Sequence, residues 1–237
     1  MSTVDLRLGD CLEILPTLTA GSVDAVVTDP PYPGLAGNLD HEFTGGVAPR
    51  RSSYSVVGVP WGGDLSPLRE CQRIARYGAI VFCSYHSVTT VPALVGGKPI
   101  ALLTWYKRNS QPTIRNRPHY TTEYIWIIEF NPGANWKCLE TMYDIPGLQA
   151  GCFATERIVD GGKAVHPTQK PVSLMVELCR PFSGTILDPY MGTGSTGLAA
   201  HKFGLPFLGI ERDPDYFAIA QRRIEQAQAQ LRLPLDI

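Results

Sequence analysis

The period of apolar positions changes several times along this chain, and each change predicts an element. "VDLRLGD" (Val4–Asp10) and "DAVVTDP" (Asp24–Pro30) read as strands, and "CLEILPTL" between them has helical spacing. From Tyr32 to Gly63 the pattern lapses into Gly, Pro and Ser, which predicts a long loop, an insertion over about 33–63. Ser66–Tyr77 reads as a helix, "AIVFCSY" after it as a strand, and Ser87–Val95 as a second helical stretch. "ALLTWYKR" and "EYIWIIEF" are strand-like, the latter rich in aromatic and β-branched residues. Residues 131–165 show no period and are expected to be irregular. Then follow an amphipathic helix ("PVSLMVELCRPF"), a buried strand ("GTILDPY"), a loop entering a helix ("GSTGLAAHKFG") and a strand ("PFLGIE"). The last helix is "DYFAIAQRRIEQAQAQL". Strands alternating with helices predict an α/β domain with a mainly parallel sheet, in one unit over 1–237.

Composition narrows the class. At 44% hydrophobic and 18% charged residues the chain is that of a globular protein, and it has no apolar run long enough for a membrane span. Its six cysteines form no C-x-x-C pair, so reduced thiols in the cytoplasm are expected, without metal. A net charge of −1 argues against a nonspecific nucleic-acid binder, yet the charge is uneven. Residues 49–117 carry ten basic and two acidic side chains, whereas 1–48 carry one and seven. That suits a protein meeting a polyanion on one face.

Two stretches carry candidate chemistry. "TDPPY" (Thr28–Tyr32) ends a buried strand in a rigid corner, because paired prolines fix φ and have no N–H. "LDPYMGTGSTG" sets Gly192, Gly194 and Gly197 in G-x-G-x-x-G register between a strand and a helix, and Glu211 ends the next strand 19 residues after Gly192. An acid there can accept from both ribose hydroxyls of a nucleoside cofactor. A nicotinamide or flavin dinucleotide competes for this reading. Against it, Asp188 and Tyr190 stand where dinucleotide loops have small residues, and too little chain follows Glu211 for a second nucleotide-binding half. A carboxylate at Asp188 suits a cofactor bearing an ammonium group.

With both stretches in view, the chain resembles the β class of amino-group DNA methyltransferases, in which the catalytic tetrapeptide precedes the cofactor loop. "TWYKRNSQP…TTEYIWIIEF" is similar to the family's W-x-K and H-E-x-I segments, with Thr122 for the usual His, and "HPTQKP" (His166–Pro171) to its motif before the loop. The resemblance implies a Rossmann-like methyltransferase fold with helices on both sheet faces and permuted motif order. It implies S-adenosyl-L-methionine as cofactor, with Asp10, Cys11, Asp29, Gln169, Lys170, Asp188, Tyr190, Gly192, Gly194, Ser195, Thr196, Glu211 and Arg212 around it. Asp29 and the Pro30 carbonyl, stiffened by Pro31, would accept the hydrogens of a base amino group, and Tyr32 would stack on the extruded base. Asp at the head of the tetrapeptide favours adenine N6, with cytosine N4 as the alternative and RNA or a protein amide behind it. Cys179 reads as core, not nucleophile. The expected partner is double-stranded DNA, contacted by Arg50, Arg51, Lys107, Arg108, Arg115 and Arg117, with target recognition over about 131–165. That region is short, which predicts a short recognition sequence or a homodimer. Trp61 and Trp136 read as buried anchors before base wedges.

Overall fold

Alternating strand and helix segments assemble around one large sheet. The computed structural model describes residues 3–31, 64–107, 121–144 and 169–230, with the backbone of 159–160 and 163–164. The strands are β1 (Val4–Leu8), β2 (Val23–Thr28), β3 (Ala75–Cys83), β4 (Lys98–Tyr106), β5 (Thr122–Glu129), β6 (Met142–Asp144), β7 (Val159–Asp160), β8 (Lys163–Ala164), β9 (Ile186–Asp188) and β10 (Phe207–Glu211). The helices are α1 (Cys11–Ile14), α2 (Cys71–Ile74), α3 (Thr90–Val95), α4 (Val172–Cys179), α5 (Ser195–Lys202) and α6 (Pro214–Gln230). Among the described residues, eight strands form the main sheet in the order β1-β10-β9-β2-β3-β5-β4-β6, and β7 pairs with β8 apart from it. Only β5 runs against its neighbours β3 and β4; the other pairings in this sheet are parallel. The mainly parallel sheet expected from the pattern is present.

Strand alternation builds two cores. Ala25, Val27, Ile80 and Phe82 face one side, against Leu174, Phe182, Phe207 and Ile224. Val26, Ala79, Val81 and Cys83 face the other, against Leu15, Leu68, Ile74 and Val91. Helices therefore cover both faces, and strands buried on both sides need continuous apolar runs, as "AVV" and "AIVFC" supply.

The order of strands fixes where a ligand can enter. β9 leads through α5 to β10 on one side of it, whereas β2 leads to β3 on the other. The chain thus departs in opposite directions from the adjacent pair β9 and β2, which opens a crevice at their carboxyl ends.

Three expectations about elements need correction. The helix expected over Ser66–Tyr77 is a 3₁₀ turn over Ser66–Glu70 followed by α2, and Ala75 already opens β3. Ala75 pairs with Val23, and Gly78 pairs with both Ala25 and Glu129, so sheet pairing on both sides overrides local helical spacing. The second helix begins at Thr90, not Ser87, because Ser84–Ser87 forms a hydrogen-bonded turn. Within 131–165, expected to be irregular, lie a 3₁₀ turn at Trp136–Cys138, β6, and the β7–β8 ribbon. Residues 145–158 of that region and the insertion at 33–63 lie outside the described residues.

Candidate active site

At the crevice, Thr28 ends β2 and Asp188 ends β9. Thr28 Oγ1 donates to Asp188 Oδ1 at 2.7 Å, Tyr190 N–H to the same oxygen at 3.1 Å, and Thr196 Oγ1 to Oδ2 at 2.5 Å. Asp188 is 3% exposed. Burial raises its pKa to about 6, and the two hydroxyls and the amide pull in the opposite direction without cancelling it. The residue is a buried acid held in place by three polar donors, where a ligand cation would find a strong partner.

The glycine loop follows at once. Gly192 and Gly194 adopt φ of +54° and +86°, which an L side chain rarely does, so the chain can turn tightly from β9 into α5. Gly192 N–H donates to Glu211 Oε2 at 2.8 Å and Asp213 N–H to Oε1 at 2.9 Å. Burial raises the Glu211 pKa. With one backbone donor on each oxygen, the carboxylate retains lone pairs for two further donors, as a ribose would offer. The parallel register of β1 with β10, Leu8 against Glu211, and the Gly9 N–H bond to the Glu211 carbonyl bring Asp10 and Cys11 to the same edge. Asp10 caps α1 by accepting from Leu12 N–H at 2.9 Å. Cys11 is buried, and its thiol is pushed up to about 11. Tyr190 O–H donates to the Asp64 carbonyl at 3.3 Å, and burial raises its pKa as well. Arg212 is exposed beside Glu211. A buried acid at the end of β9 and a second acid at the end of the adjacent strand β10, on either side of the glycine loop, fit a nucleoside with a cationic tail.

One strand along, Asp29, Pro30 and Pro31 leave β2, with the Asp29 side chain 24% exposed and Pro30 buried. The Asp29 carboxylate accepts a hydrogen bond from Lys170 Nζ. Lys170 is 7% exposed and also lies 3.3 Å from Glu123 Oε2. Burial works against its charge, but Asp29 and Glu123 more than offset that and raise its pKa. Ser195 Oγ holds the Lys170 carbonyl at 2.8 Å, tying α5 to this segment, and Gln169 beside it is buried. The structure thus joins Asp29, Lys170 and Ser195 at the start of α5 in one place.

Lys107 is a correction. It was expected to meet DNA phosphate, but it is 4% exposed, its Nζ bonds Glu123 Oε1 at 2.8 Å, and it lies 5.4 Å from the Trp105 ring centroid. Its carboxylate partner sits on the neighbouring strand β5, a pairing that charge counting along the chain does not show. Tyr32, Arg50, Arg51, Arg108, Arg115, Arg117, Trp61 and His166 lie outside the described residues. Trp136 is an anchor: its indole N–H donates to Glu129 Oε1 at 3.1 Å and its ring meets Phe182 edge-on at 5.4 Å. Cys179 is fully buried and its thiol pKa is raised by burial. Sequence reasoning assigned no role to Thr28 or Glu123. For Thr28 the only signal was its place before Asp29; for Glu123 it was its place as the acid of the H-E-x-I-like segment.

The doubly covered sheet, with an acid-lined crevice at its switch point beside an acid–proline corner, defines a Rossmann-like architecture. A family model described as DNA methylase, N6_N4_Mtase, matches residues 23–222, and the chain belongs to this family of amino DNA methylases. It is similar to the type II methyltransferase M.HinfI of Haemophilus influenzae, with 28% identity over 244 residues, 92% of this chain and 67% of that protein. The M1.HpyAVI–SAM complex shares the fold at a TM-score of 0.61 and 23% identity, covering 93% of this chain and 99% of the other. PvuII DNA methyltransferase, described as cytosine-N4-specific, does so at a TM-score of 0.63 and 15% identity, covering 100% of this chain and 89% of the other. Among the described residues no helix is long and apolar enough to cross a membrane, and no cluster of metal-ligating side chains occurs.

Proposed function

We propose that this DNA methylase transfers a methyl group from S-adenosyl-L-methionine to the exocyclic N6 amino group of an adenine turned out of double-stranded DNA. The observation that carries this reading is the 2.7 Å bond from Thr28 to Asp188, which locks the strand bearing Asp29 to the strand bearing the cofactor loop. The two halves of the reaction then meet at a fixed spacing.

S-adenosylmethionine, when bound, supplies an electrophilic sulfonium methyl. Asp188 takes the ammonium of its methionine part, Glu211 its ribose hydroxyls, and Gly192, Gly194, Ser195 and Thr196 line its path; Asp10, Cys11, Tyr190 and Arg212 flank the adenine end. A base amino group is a poor nucleophile because its lone pair is delocalised into the ring. Asp29 and the Pro30 carbonyl accept its hydrogens, localise that lone pair and aim it, while Pro31 keeps the corner from yielding. Tyr32 offers the stacking face, worth about 1–3 kcal/mol against the cost of extrusion. Arg50, Arg51, Arg108, Arg115 and Arg117 contact phosphates, and the region over about 131–165 contributes to target recognition, in a monomer or a homodimer.

Asp at position 29 favours adenine. Cytosine N4 is the second reading, and the fold shared with a cytosine-N4-specific enzyme keeps it in play. Nucleoside digestion and mass spectrometry of DNA from a methylation-free host expressing the chain separates them. N6-methyladenine supports the first reading; N4-methylcytosine keeps the chemistry and moves the base. Asp29→Ala should lower either product by roughly 10²–10³-fold. Neither base modified, with S-adenosylmethionine still bound, would move the substrate to RNA.

A further inference from the structure

Four charged side chains form a row running inward from the site: Asp29, Lys170, Glu123, Lys107. Their signs alternate and their charges cancel. Lys107 Nζ bonds Glu123 Oε1 at 2.8 Å, Glu123 Oε2 lies 3.3 Å from Lys170 Nζ, and Lys170 bonds Asp29 Oδ2. Both ammonium groups lie against aromatic rings, Lys107 5.4 Å from the centroid of Trp105 and Lys170 5.1 Å from that of Phe82. Those rings meet edge to face, 6.4 Å apart at 87°. The row is therefore set in a rigid apolar wall. The side chains of Lys107, Glu123 and Lys170 are 5%, 12% and 7% exposed, whereas Asp29 at 24% is the end that faces the crevice.

Burying this many ions needs a reason. An apolar set of equal volume is as stable or more so, since desolvation consumes most of the Coulombic gain. What such a row does supply is position. An ammonium bonded to Asp29 Oδ2 fixes the plane of the carboxylate, and hence the direction from which it meets an amino group. Lys170 has a long flexible stem, and Glu123 on β5 is what holds its head in place. Lys107 neutralises Glu123 from behind; without it, the unbalanced acid would draw Lys170 away from Asp29.

We propose that Glu123 and Lys107 are positioning residues for methyl transfer, acting on Asp29 through Lys170; this rests on the reading that Asp29 accepts the hydrogens of the target amino group. They act on turnover, not on binding, because neither is at the cofactor loop.

The test is steady-state methylation of DNA from a methylation-free host with radiolabelled S-adenosylmethionine, alongside cofactor binding by calorimetry and thermal melting. Lys107→Met and Glu123→Gln should each lower kcat by roughly 10–100-fold, as sub-ångström misplacement of a reacting group does. KM for DNA and the cofactor Kd should stay within about twofold. The double variant should be no worse than Glu123→Gln alone, since Lys107 acts only through Glu123. Glu123→Asp keeps every charge and shortens the reach by one methylene, so it reports even if the neutral variants fail to fold; it should lose about tenfold in kcat at an unchanged melting temperature. Wild-type kcat in Glu123→Asp or Glu123→Gln, losses that multiply in the double variant, or a cofactor Kd that weakens in step with kcat would overturn the proposal. Asp29→Ala is run in parallel. If it turns over normally, the underlying chemistry is wrong; if it is dead while the Glu123 variants are not, only the positioning row is wrong.

Discussion

Asp188 shows how one side chain can set the pH behaviour of the site. Its carboxyl pKa is raised to about 6 by burial, against an ordinary value near 4 in the unfolded chain. The folded protein therefore holds a proton that the unfolded chain releases. The associated stability is full below about pH 4 and is lost as pH rises through about 6, roughly 3 kcal/mol in all. Thermal melts of the cofactor-free protein between pH 4.5 and 7.5 should show this slope, and Asp188→Asn should flatten it. On the proposed reading, in which Asp188 takes the cofactor's ammonium, binding reverses the preference, because it requires the ionised acid. Affinity for S-adenosylmethionine should thus be about tenfold weaker at pH 5 than at pH 8, and the Asn variant should lose at least ~10-fold at the higher pH. An unchanged pH profile in the Asn variant would show that another group titrates. The same scale exposes a limit of reading along the chain. Asp29, Asp188 and Glu211 were legible because each stands at a strand end beside turn residues, whereas Lys107, the lysine of the W-x-K segment, read as a base for DNA phosphate. Its partner Glu123 is 16 residues away in sequence and becomes a neighbour only through strand pairing.

Among the elements, the packing of α5 on β10 and α6 restrains the chain just after the glycine loop. A Cβ on Gly197 would lie 2.5 Å from Ile224 Cδ1 and 2.8 Å from Phe207 Cε1. Alanine has the better helix propensity by about 0.5–1 kcal/mol, but overpacking costs about 1–3 kcal/mol, so the steric term wins. Gly197→Ala should lower the melting temperature by roughly 2–8 °C and weaken cofactor binding by shifting α5. Gly194→Ala adds backbone strain to a 3.0 Å contact with Ala220 and should be the worse of the two. An alanine at either position that melts like wild type would mean α6 yields easily. α6 itself is set by local signals, since Asp213 Oδ1 accepts from the Asp215 and Tyr216 amides at 2.9 and 3.0 Å and Pro214 occupies the first turn. That helix was visible in sequence, as was the strand–loop–helix around the glycines. The Ser66–Tyr77 segment was misread because its spacing is helical until two neighbouring strands claim Ala75 onward.

For the molecule as a whole, the strongest discriminator is linkage between cofactor and fold. S-adenosylmethionine at 100 times its Kd should stabilise the protein by about 2.7 kcal/mol, a rise of roughly 5–10 °C in melting temperature. NADH at the same concentration should give none; the reverse result would restore the dinucleotide reading of the glycine loop. The crevice that would bind the cofactor lies at the switch between β9 and β2, two strands 160 residues apart in the Thr28–Asp188 bond.

The order of the motifs, the acid–proline corner, the glycine loop and the apolar runs were determined by sequence, because each depends on residues close along the chain: a fixed φ, an absent Cβ, a period. Tertiary structure alone decided that β9 and β10 insert between β1 and β2, that Asp188 is buried deeply enough to change its acidity, and that Lys107 faces Glu123 rather than solvent. Those outcomes depend on which distant strands pair and on how much water that pairing removes, and neither quantity is local.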